Sequence, residues 1–231
     1  MRFDPIPGER QPATIHPPYG STLRRGPKQP PVVVSAPAAV EAGVRFAESA
    51  AKPGECDMTL TGTGEALGQR IVVTGRIVDE DSRPVRGSLV EVWQCNAAGR
   101  YTHAGDQHNA PLDPNFSGDG RMLTDDDGRY RFVTIRPGEY PWRNHYNAWR
   151  PAHIHLSVFG HGFMQRLVTQ FYFPGDPLLE YDPMYMSVPD ERARRRLIAE
   201  FDWEHTAPEH AIAYRFDIVL RGRDATPMER P

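Results

Sequence analysis

The sequence predicts an all-β fold: an antiparallel β-sandwich with long irregular loops, a proline-rich N-terminal arm and one short helix in the C-terminal half. From residue 71 onward, short apolar runs of strand length alternate with strong turn signals such as T-D-D-D-G at 124–128. The first 60 residues are rich in proline and show no sustained period, so we expect neither sheet nor helix there. The predicted organisation is an arm over 1–60, packed on the domain or on a partner, and a β-sandwich domain over 61–231.

Six segments have the length and the β-branched or aromatic composition of strands, and only one resembles a helix. Residues 189–201 place Pro189 at a first helical turn, with Ser187 as a cap before it, and the apolar residues Leu197, Ile198 and Phe201 follow. Strands therefore dominate, which favours a sandwich. The predicted strands are residues 71–78, 88–94, 129–135, 152–159, 166–173 and 213–220.

The bulk composition excludes several classes of protein. A chain of 231 residues can bury a large core without disulfide support, and Cys56 and Cys95 are its only cysteines. The net charge of −3, with both signs mixed, argues against a nucleic-acid or anionic-membrane partner. The sequence has neither the apolar core of a signal peptide nor a membrane-length apolar run. We therefore expect a soluble, cytoplasmic protein.

A His-x-His pair is the strongest indication of chemistry. In A-H-I-H-L-S-V-F (152–159), Ile154 and Leu156 fall on one side of an extended strand, and His153 and His155 fall on the other. Two imidazoles on one face can converge on one metal ion. An exposed pair, or a hydrogen-bonded pair in the core, would have the same sequence, so the pattern alone leaves metal binding open.

The surroundings of the pair favour phenol ligands over a carboxylate. The usual third ligand of a two-histidine Fe(II) site is a carboxylate, but no Asp or Glu occurs from residue 140 to residue 175. Tyr101, Tyr140 and Tyr146 are the available phenols. A phenol has a reference pKa of about 10, so ionising it at neutral pH takes roughly 4 kcal/mol of preferential stabilisation. A trivalent ion can supply that energy, which favours Fe(III).

Three motifs together resemble the intradiol ring-cleavage dioxygenases: W-Q-x-N-x-x-G-R-Y (93–101), R-P-G-x-Y-P-W-R (136–143) and W-R-P-A-H-I-H (149–155). The resemblance covers roughly residues 70–222 and, weakly, the arm around Tyr19. Three motifs in the same order and spacing are far more specific than His-x-His alone. Supporting stretches are L-D-P-N-F (112–116), Q-F-Y-F-P-G-D-P (170–177) and A-Y-R-F-D-I-V-L-R-G (213–222).

The resemblance implies a non-haem Fe(III) cofactor held by four side chains, with a solvent hydroxide as the fifth ligand. Two phenolates and one hydroxide would neutralise the ion, which a partly buried site tolerates better than a net charge. Tyr146 is the competing phenol. We call the four implied ligands the His-Tyr cluster: Tyr101, Tyr140, His153 and His155.

The resemblance also implies roles around the cluster. Tyr140 would be the ligand that a catechol displaces, and it would accept a substrate proton as it leaves. Arg150 would stabilise charge on the ring, although an arginine paired with a core carboxylate is the competing interpretation. Trp142 and Gln170 would line the substrate pocket, and Tyr19 would contact a substrate carboxylate.

The implied activity is cleavage of a small aromatic diol by O2 between the two hydroxylated carbons. The proline-rich arm favours the branch of the family that acts on protocatechuate (3,4-dihydroxybenzoate) and forms 3-carboxy-cis,cis-muconate, with catechol or hydroxyquinol as the alternative substrate. That branch implies a homologous alpha subunit, in an αβ unit repeated in a larger oligomer. The alternatives from other classes are a β-sandwich binding module with a structural His-x-His and a zinc hydrolase, which lacks a third ligand here.

Overall fold

The computed structural model describes residues 10–25, 29, 51–53, 55–61, 64–146, 148–159 and 166–229. Strands dominate this part of the chain, and the helices are short. The strands are β1 (Lys52–Pro53), β2 (Glu55–Asp57), β3 (Arg70–Val78), β4 (Leu89–Trp93), β5 (Asp119–Leu123), β6 (Arg129–Ile135), β7 (Tyr140–Pro141), β8 (Trp149–Arg150), β9 (His153–Phe159), β10 (Arg166–Tyr172), β11 (Glu200–Phe201), β12 (Ile212–Arg215) and β13 (Ile218–Val219).

Two sheets form the body of the fold. One sheet has the strand order β1-β5-β4-β9-β10, and the other has the order β11-β12-β3-β6-β2, with β13 also paired to β3. Strands β7 and β8 make a separate two-stranded ribbon. The ribbon matters for function, because β7 carries Tyr140 and β8 carries Arg150.

Apolar side chains of the two sheets form one buried core, which confirms the predicted sandwich. Val73 and Phe132 from one sheet belong to the same buried cluster as Val92, Ile154 and Leu156 from the other. The predicted alternation of β9 is therefore correct, because its apolar residues lie in this core. All seven residues of β9 are buried, so the face that carries the histidines is covered as well.

The pairing is not antiparallel throughout. The central pairs β3/β6, β4/β5, β4/β9 and β9/β10 are antiparallel, but β1/β5, β2/β6, β12/β3 and β13/β3 are parallel. These short strands reach their partners through long connections, so no tight hairpin imposes an antiparallel direction. The sandwich is therefore mixed at its edges.

The predicted helix is shorter than its sequence pattern suggested. The chain forms a 3-10 turn (Leu179–Tyr181), helix α2 (Pro183–Met186) and helix α3 (Glu191–Arg195), after a first short helix α1 (Thr22–Arg25). Asp190, not Ser187, caps α3, because its carboxylate accepts the backbone N–H groups of Arg192 and Ala193. No helix among the described residues is long and apolar enough to cross a membrane.

The prediction that residues 1–60 lack regular structure is wrong in two places. Helix α1 lies in this region, and β1 and β2 pair with β5 and β6, one in each sheet. The described part of the arm contacts the rest of the fold: Ala13 N–H donates to the Ser187 carbonyl at 2.7 Å, and Gly20 N–H donates to the Asn144 carbonyl at 2.9 Å. The division into an arm and a domain stays a prediction.

Candidate metal and substrate site

The register of β9 determines the neighbours of the two histidines. His155 lies opposite Trp93 on β4 and opposite Gln170 on β10, and His153 lies opposite Tyr172. The Trp93 ring stacks on His155 with centroids 4.9 Å apart and an interplanar angle of 3°. Strand β9 is hydrogen-bonded to β4 on one side and to β10 on the other. The sheet therefore fixes the backbone positions of both histidines.

Hydrogen bonds set the tautomers of both rings so that each presents Nε2. His153 Nδ1 lies 2.7 Å from the Pro151 carbonyl, which can only accept, so Nδ1 carries the proton. His155 Nδ1 lies 2.9 Å from a carboxylate oxygen of Glu229. Burial, together with the charge of Arg150, holds the pKa of His153 well below its ordinary value. His153 is therefore neutral at physiological pH, which is the form that binds a metal.

The two phenols of the His-Tyr cluster lie beside these rings. The Tyr101 hydroxyl is 3.5 Å from His153 Nε2, and the Tyr101 and Tyr140 rings meet edge to face at 5.0 Å. Burial raises the pKa of Tyr101 well above its ordinary value and also raises the pKa of Tyr140. Both phenols therefore stay protonated unless a cation is bound beside them.

Two glycines bring together the loops that carry the phenols. A side chain at Gly99 would overlap the Glu139 carbonyl, and one at Gly138 would overlap the Ala97 carbonyl. Gly99 also has a positive φ of 74°, which glycine adopts without strain. The backbones that precede Tyr101 and Tyr140 are consequently in direct contact, so the two loops set the spacing of the phenols together.

A buried thiol lies behind these loops. Cys95 is inaccessible to solvent, and its Sγ lies 3.5 Å from the Gly138 carbonyl. Burial raises the pKa of Cys95 to about 12. Both Cys95 and Cys56 are free thiols, as the absence of a disulfide framework in the sequence indicated.

Arg150 is the centre of a buried polar network. Its guanidinium makes two hydrogen bonds of 3.0 Å to the Asp182 carboxylate and one of 3.0 Å to Gln170 Oε1. The Tyr172 hydroxyl donates to the same carboxylate at 2.7 Å. Burial alone would raise the pKa of Asp182, but the Arg150 charge and the hydrogen bonds from Arg150, Tyr172 and the Tyr185 N–H together outweigh burial and lower it. Asp182 is therefore ionised and neutralises Arg150.

Arg150 also reaches the His-Tyr cluster. Its Nη1 lies 3.0 Å from His153 Nε2, and the pairing of β7 with β8 places it opposite Tyr140. Arg150 therefore pairs with a core carboxylate and also lies at the cluster, and its role toward a substrate stays a prediction. A metal bound at His153 Nε2 would replace the hydrogen bond from Nη1.

The predicted pocket residues extend from this arginine. The Trp142 ring lies 5.3 Å from the Arg150 guanidinium carbon. Tyr19, which is buried, packs against Trp142 at 4.9 Å. Gln170 is buried within the network of Arg150. Tyr146, the competing phenol, is 83% exposed, and its ring meets the His145 ring edge to face at 6.2 Å.

Sequence reasoning missed three residues of this site: Trp93, Asp182 and Glu229. Trp93 begins the motif W-Q-x-N-x-x-G-R-Y (93–101). Its position opposite His155 on the neighbouring strand accounts for the stacking. Asp182 and Glu229 lie 32 and 74 residues from the side chains that they contact. No local pattern connects either pair, so only the tertiary structure could show these contacts.

The donor set fits a metal ion only if the phenols take part. Among the residues that the structure describes, no group of three or more His, Cys, Asp and Glu side chains could hold one. Two imidazoles and two phenols supply four donors, of which the phenols are hard oxygen ligands suited to a trivalent ion. This fit agrees with the Fe(III) that the sequence resemblance implied.

Comparisons with known proteins find similarity over nearly the whole chain. A family model described as "Dioxygenase" matches residues 42–222, and one described as "Protocatechuate 3,4-dioxygenase beta subunit N terminal" matches residues 5–36. The chain is 57% identical over 221 residues to the protocatechuate 3,4-dioxygenase beta chain of Burkholderia cepacia, covering 95% of this chain and 94% of that one.

Two further relatives place the similarity in a wider group. The alpha chain of the Burkholderia cepacia enzyme is 30% identical over 164 residues, which covers 70% of this chain and 77% of that one. The solved structure of catechol 1,2-dioxygenase from Acinetobacter sp. ADP1 matches with a TM-score of 0.55 and 26% identity, over 78% of this chain and 62% of that one.

Proposed function

The chain belongs to the intradiol ring-cleavage dioxygenase family, and we propose that it acts as the beta chain of a protocatechuate 3,4-dioxygenase. The reaction consumes O2 and cleaves protocatechuate between its two hydroxylated carbons to give 3-carboxy-cis,cis-muconate. The observation that carries the proposal is the convergence of the His-Tyr cluster beside Arg150, in a chain 57% identical to such a beta chain over 95% of its length.

We propose that the His-Tyr cluster holds a non-haem Fe(III). The tautomers of His153 and His155 support this assignment, because both rings present an Nε2 lone pair. Ionised Tyr101 and Tyr140, with one hydroxide, would balance the charge of the ion. When bound, the iron would draw electron density from a catecholate and prepare the ring for O2.

The remaining roles follow from the contacts of each residue. Tyr140 lies opposite Arg150, which suits a ligand that leaves and accepts a substrate proton. Arg150 supplies a permanent positive charge beside the aromatic ring of the bound substrate. Trp142 and Gln170 confine the ring, and Tyr19 offers a hydroxyl for the substrate carboxylate.

We propose a homologous alpha chain as the partner, in an αβ unit repeated in a larger oligomer. The similarity to both chains of one enzyme supports this, since alpha and beta chains then derive from one fold. Residues of the alpha chain would complete the substrate pocket. Catechol and hydroxyquinol are the rival substrates within the family.

Coexpression of this chain with the alpha chain, followed by oxygen uptake on three diols, tests the proposal. We expect one iron per beta chain, a visible phenolate-to-iron charge-transfer band, and faster uptake on protocatechuate than on catechol or hydroxyquinol. His155→Ala should lose the iron and the band. A wild-type protein without iron or colour would overturn the enzymatic assignment, and faster turnover of catechol would overturn the substrate.

A further inference from the structure

The carboxylate of Glu229 contacts His155, the histidine of the cluster that is paired on both sides, with Trp93 of β4 and Gln170 of β10. Glu229 Oε2 is 2.9 Å from His155 Nδ1, and the side chains of Glu229 and His155 are 19% and 10% exposed. His153 instead donates to a neutral backbone carbonyl. The two imidazoles of the cluster therefore differ in the charge of the group behind them.

Backbone contacts hold Glu229 at this place. We call residues 225–229 the C-terminal segment. Its Glu229 N–H donates to the Val168 carbonyl at 2.7 Å, and the Thr169 hydroxyl donates to the Pro227 carbonyl at 2.8 Å. Both contacts fix the segment along β10, the neighbour of β9. The position of the Glu229 carboxylate is therefore set by a backbone that is itself hydrogen-bonded to β10.

Gln11, in the N-terminal part of the described chain, makes a third hydrogen bond to the C-terminal segment. The Met228 N–H donates to the side-chain oxygen of Gln11 at 2.9 Å, and Gln11 is buried. Ala225 and Thr226 are buried as well. A surface ion pair does not require a backbone held by so many contacts. The contacts therefore favour a functional role for the Glu229 carboxylate.

We propose that Glu229 is a positioning residue for the iron ligand His155. By accepting the Nδ1–H, it keeps the Nε2 lone pair directed at the metal position and increases the electron donation of the ring. The inference rests on the proposed iron site, and it adds a residue from the C-terminal segment to that site. Glu229 itself does not bind the metal or the substrate.

The test compares Glu229→Ala and Glu229→Gln in the complex with the alpha chain. Loss of the carboxylate should speed iron release to an excess of chelator by about 10- to 100-fold. Glu229→Gln should lie between Glu229→Ala and wild type, because an amide oxygen still accepts the Nδ1–H but carries no charge. Glu200→Gln removes a carboxylate from the exposed pair with Arg215, and it should match wild type.

Two further readouts separate positioning from a merely structural role. Weaker donation by His155 leaves the iron more electron-poor, so the phenolate-to-iron band of both Glu229 variants should move to lower energy. The thermal unfolding of the iron-free variants should stay close to that of the iron-free wild type. Faster iron release that only parallels a lower unfolding temperature, with an unmoved band, would overturn the role.

Two other outcomes would contradict the role of Glu229, and one of them would also contradict the proposed function. Wild-type release and an unmoved band in Glu229→Ala, with iron present in the wild type, would overturn the role of Glu229 and leave the proposed function intact. A wild-type protein that holds no iron would overturn both proposals.

Discussion

At the scale of single residues, the site combines buried groups that are uncharged without a cation with a compensated ion pair between Arg150 and Asp182. Burial holds the pKa of His153 below its ordinary value and raises the pKa of Tyr101 and of Tyr140, so these three groups are uncharged without a cation. Arg150 is charged, and the ionised Asp182 balances it. A trivalent ion can therefore bind as the phenols release their protons. The Arg150–Asp182 pair has no net charge, so it neither adds to nor offsets the charge of the ion.

Tyr140→Phe should keep part of the iron but lower kcat/KM for protocatechuate by about 100-fold, because the variant lacks the hydroxyl that we propose leaves the metal and accepts a proton. Steady-state oxygen uptake and iron content measure both effects. Tyr146→Phe is the matched control, since Tyr146 is 83% exposed, and it should behave as wild type. Equal turnover in Tyr140→Phe and wild type would show that Tyr140 is not the displaceable ligand.

Asp182→Asn should lower the free energy of unfolding by about 3–5 kcal/mol, because it leaves the buried Arg150 charge without a partner. Denaturant titration at neutral pH measures the loss, and Glu200→Gln should stay within about 0.5 kcal/mol of wild type.

The pH dependence of that loss has a definite sign. The folded-state pKa of Asp182 lies below its ordinary value, so the wild-type advantage is present above the unfolded pKa of about 3.9 and is lost as the pH falls further. An advantage that grows on acidification would contradict the pairing.

At the scale of elements, two loops and one strand set the geometry of the site. β9 fixes the imidazoles through its register, and the contact between the loops at Gly99 and Gly138 fixes the phenols. The sequence predicted the strand well, because alternation of apolar residues is a local property. It could not predict the loop contact, which depends on two segments about 40 residues apart.

Gly138→Ala should separate the loops, lower the iron content and destabilise the fold by about 1–3 kcal/mol, because its Cβ would overlap the Ala97 carbonyl. Iron analysis and thermal unfolding measure both effects. At Gly105 a Cβ would meet only the exposed side chain of His103 at 3.0 Å, so Gly105→Ala is the control. Wild-type iron content in Gly138→Ala would mean that the loops adapt without cost.

The strands that sequence reasoning missed share one property. β5 has the sequence D-G-R-M-L, with only Met122 buried, so it lacks the apolar alternation that identifies a strand. The two-residue strands β7 and β8 are too short to show a period. Conversely, residues 189–201 carry an apolar stripe, but Phe201 is 52% exposed and lies in β11, so the stripe does not belong to one helix.

At the scale of the whole molecule, the two ends of the described chain meet beside the site. Gln11 and Met228 are 217 residues apart and share a hydrogen bond, and the C-terminal segment carries Glu229 to His155. The candidate ligands could be predicted from local motifs, whereas this closure could not, because it depends on the path of the complete chain.

Gln11→Ala should speed amide hydrogen exchange in the C-terminal segment by about five-fold, since a hydrogen bond contributes about 1 kcal/mol to local opening. Mass spectrometry of the peptide that contains residues 225–229 measures the rate. Gln107→Ala, at an exposed position, should leave the rate unchanged. Unchanged exchange in Gln11→Ala would mean that β10 alone holds the segment.

The burial of Cys95 has a practical consequence for an enzyme that handles O2. With a pKa of about 12, the thiol holds almost no thiolate at neutral pH, and the thiolate is the form that oxidants and alkylating reagents attack. Cys95 lies against the loop that carries Tyr140, so it becomes reactive only when that loop opens. The rate at which an alkylating reagent modifies Cys95 therefore reports how often the site opens, with no engineered cysteine needed.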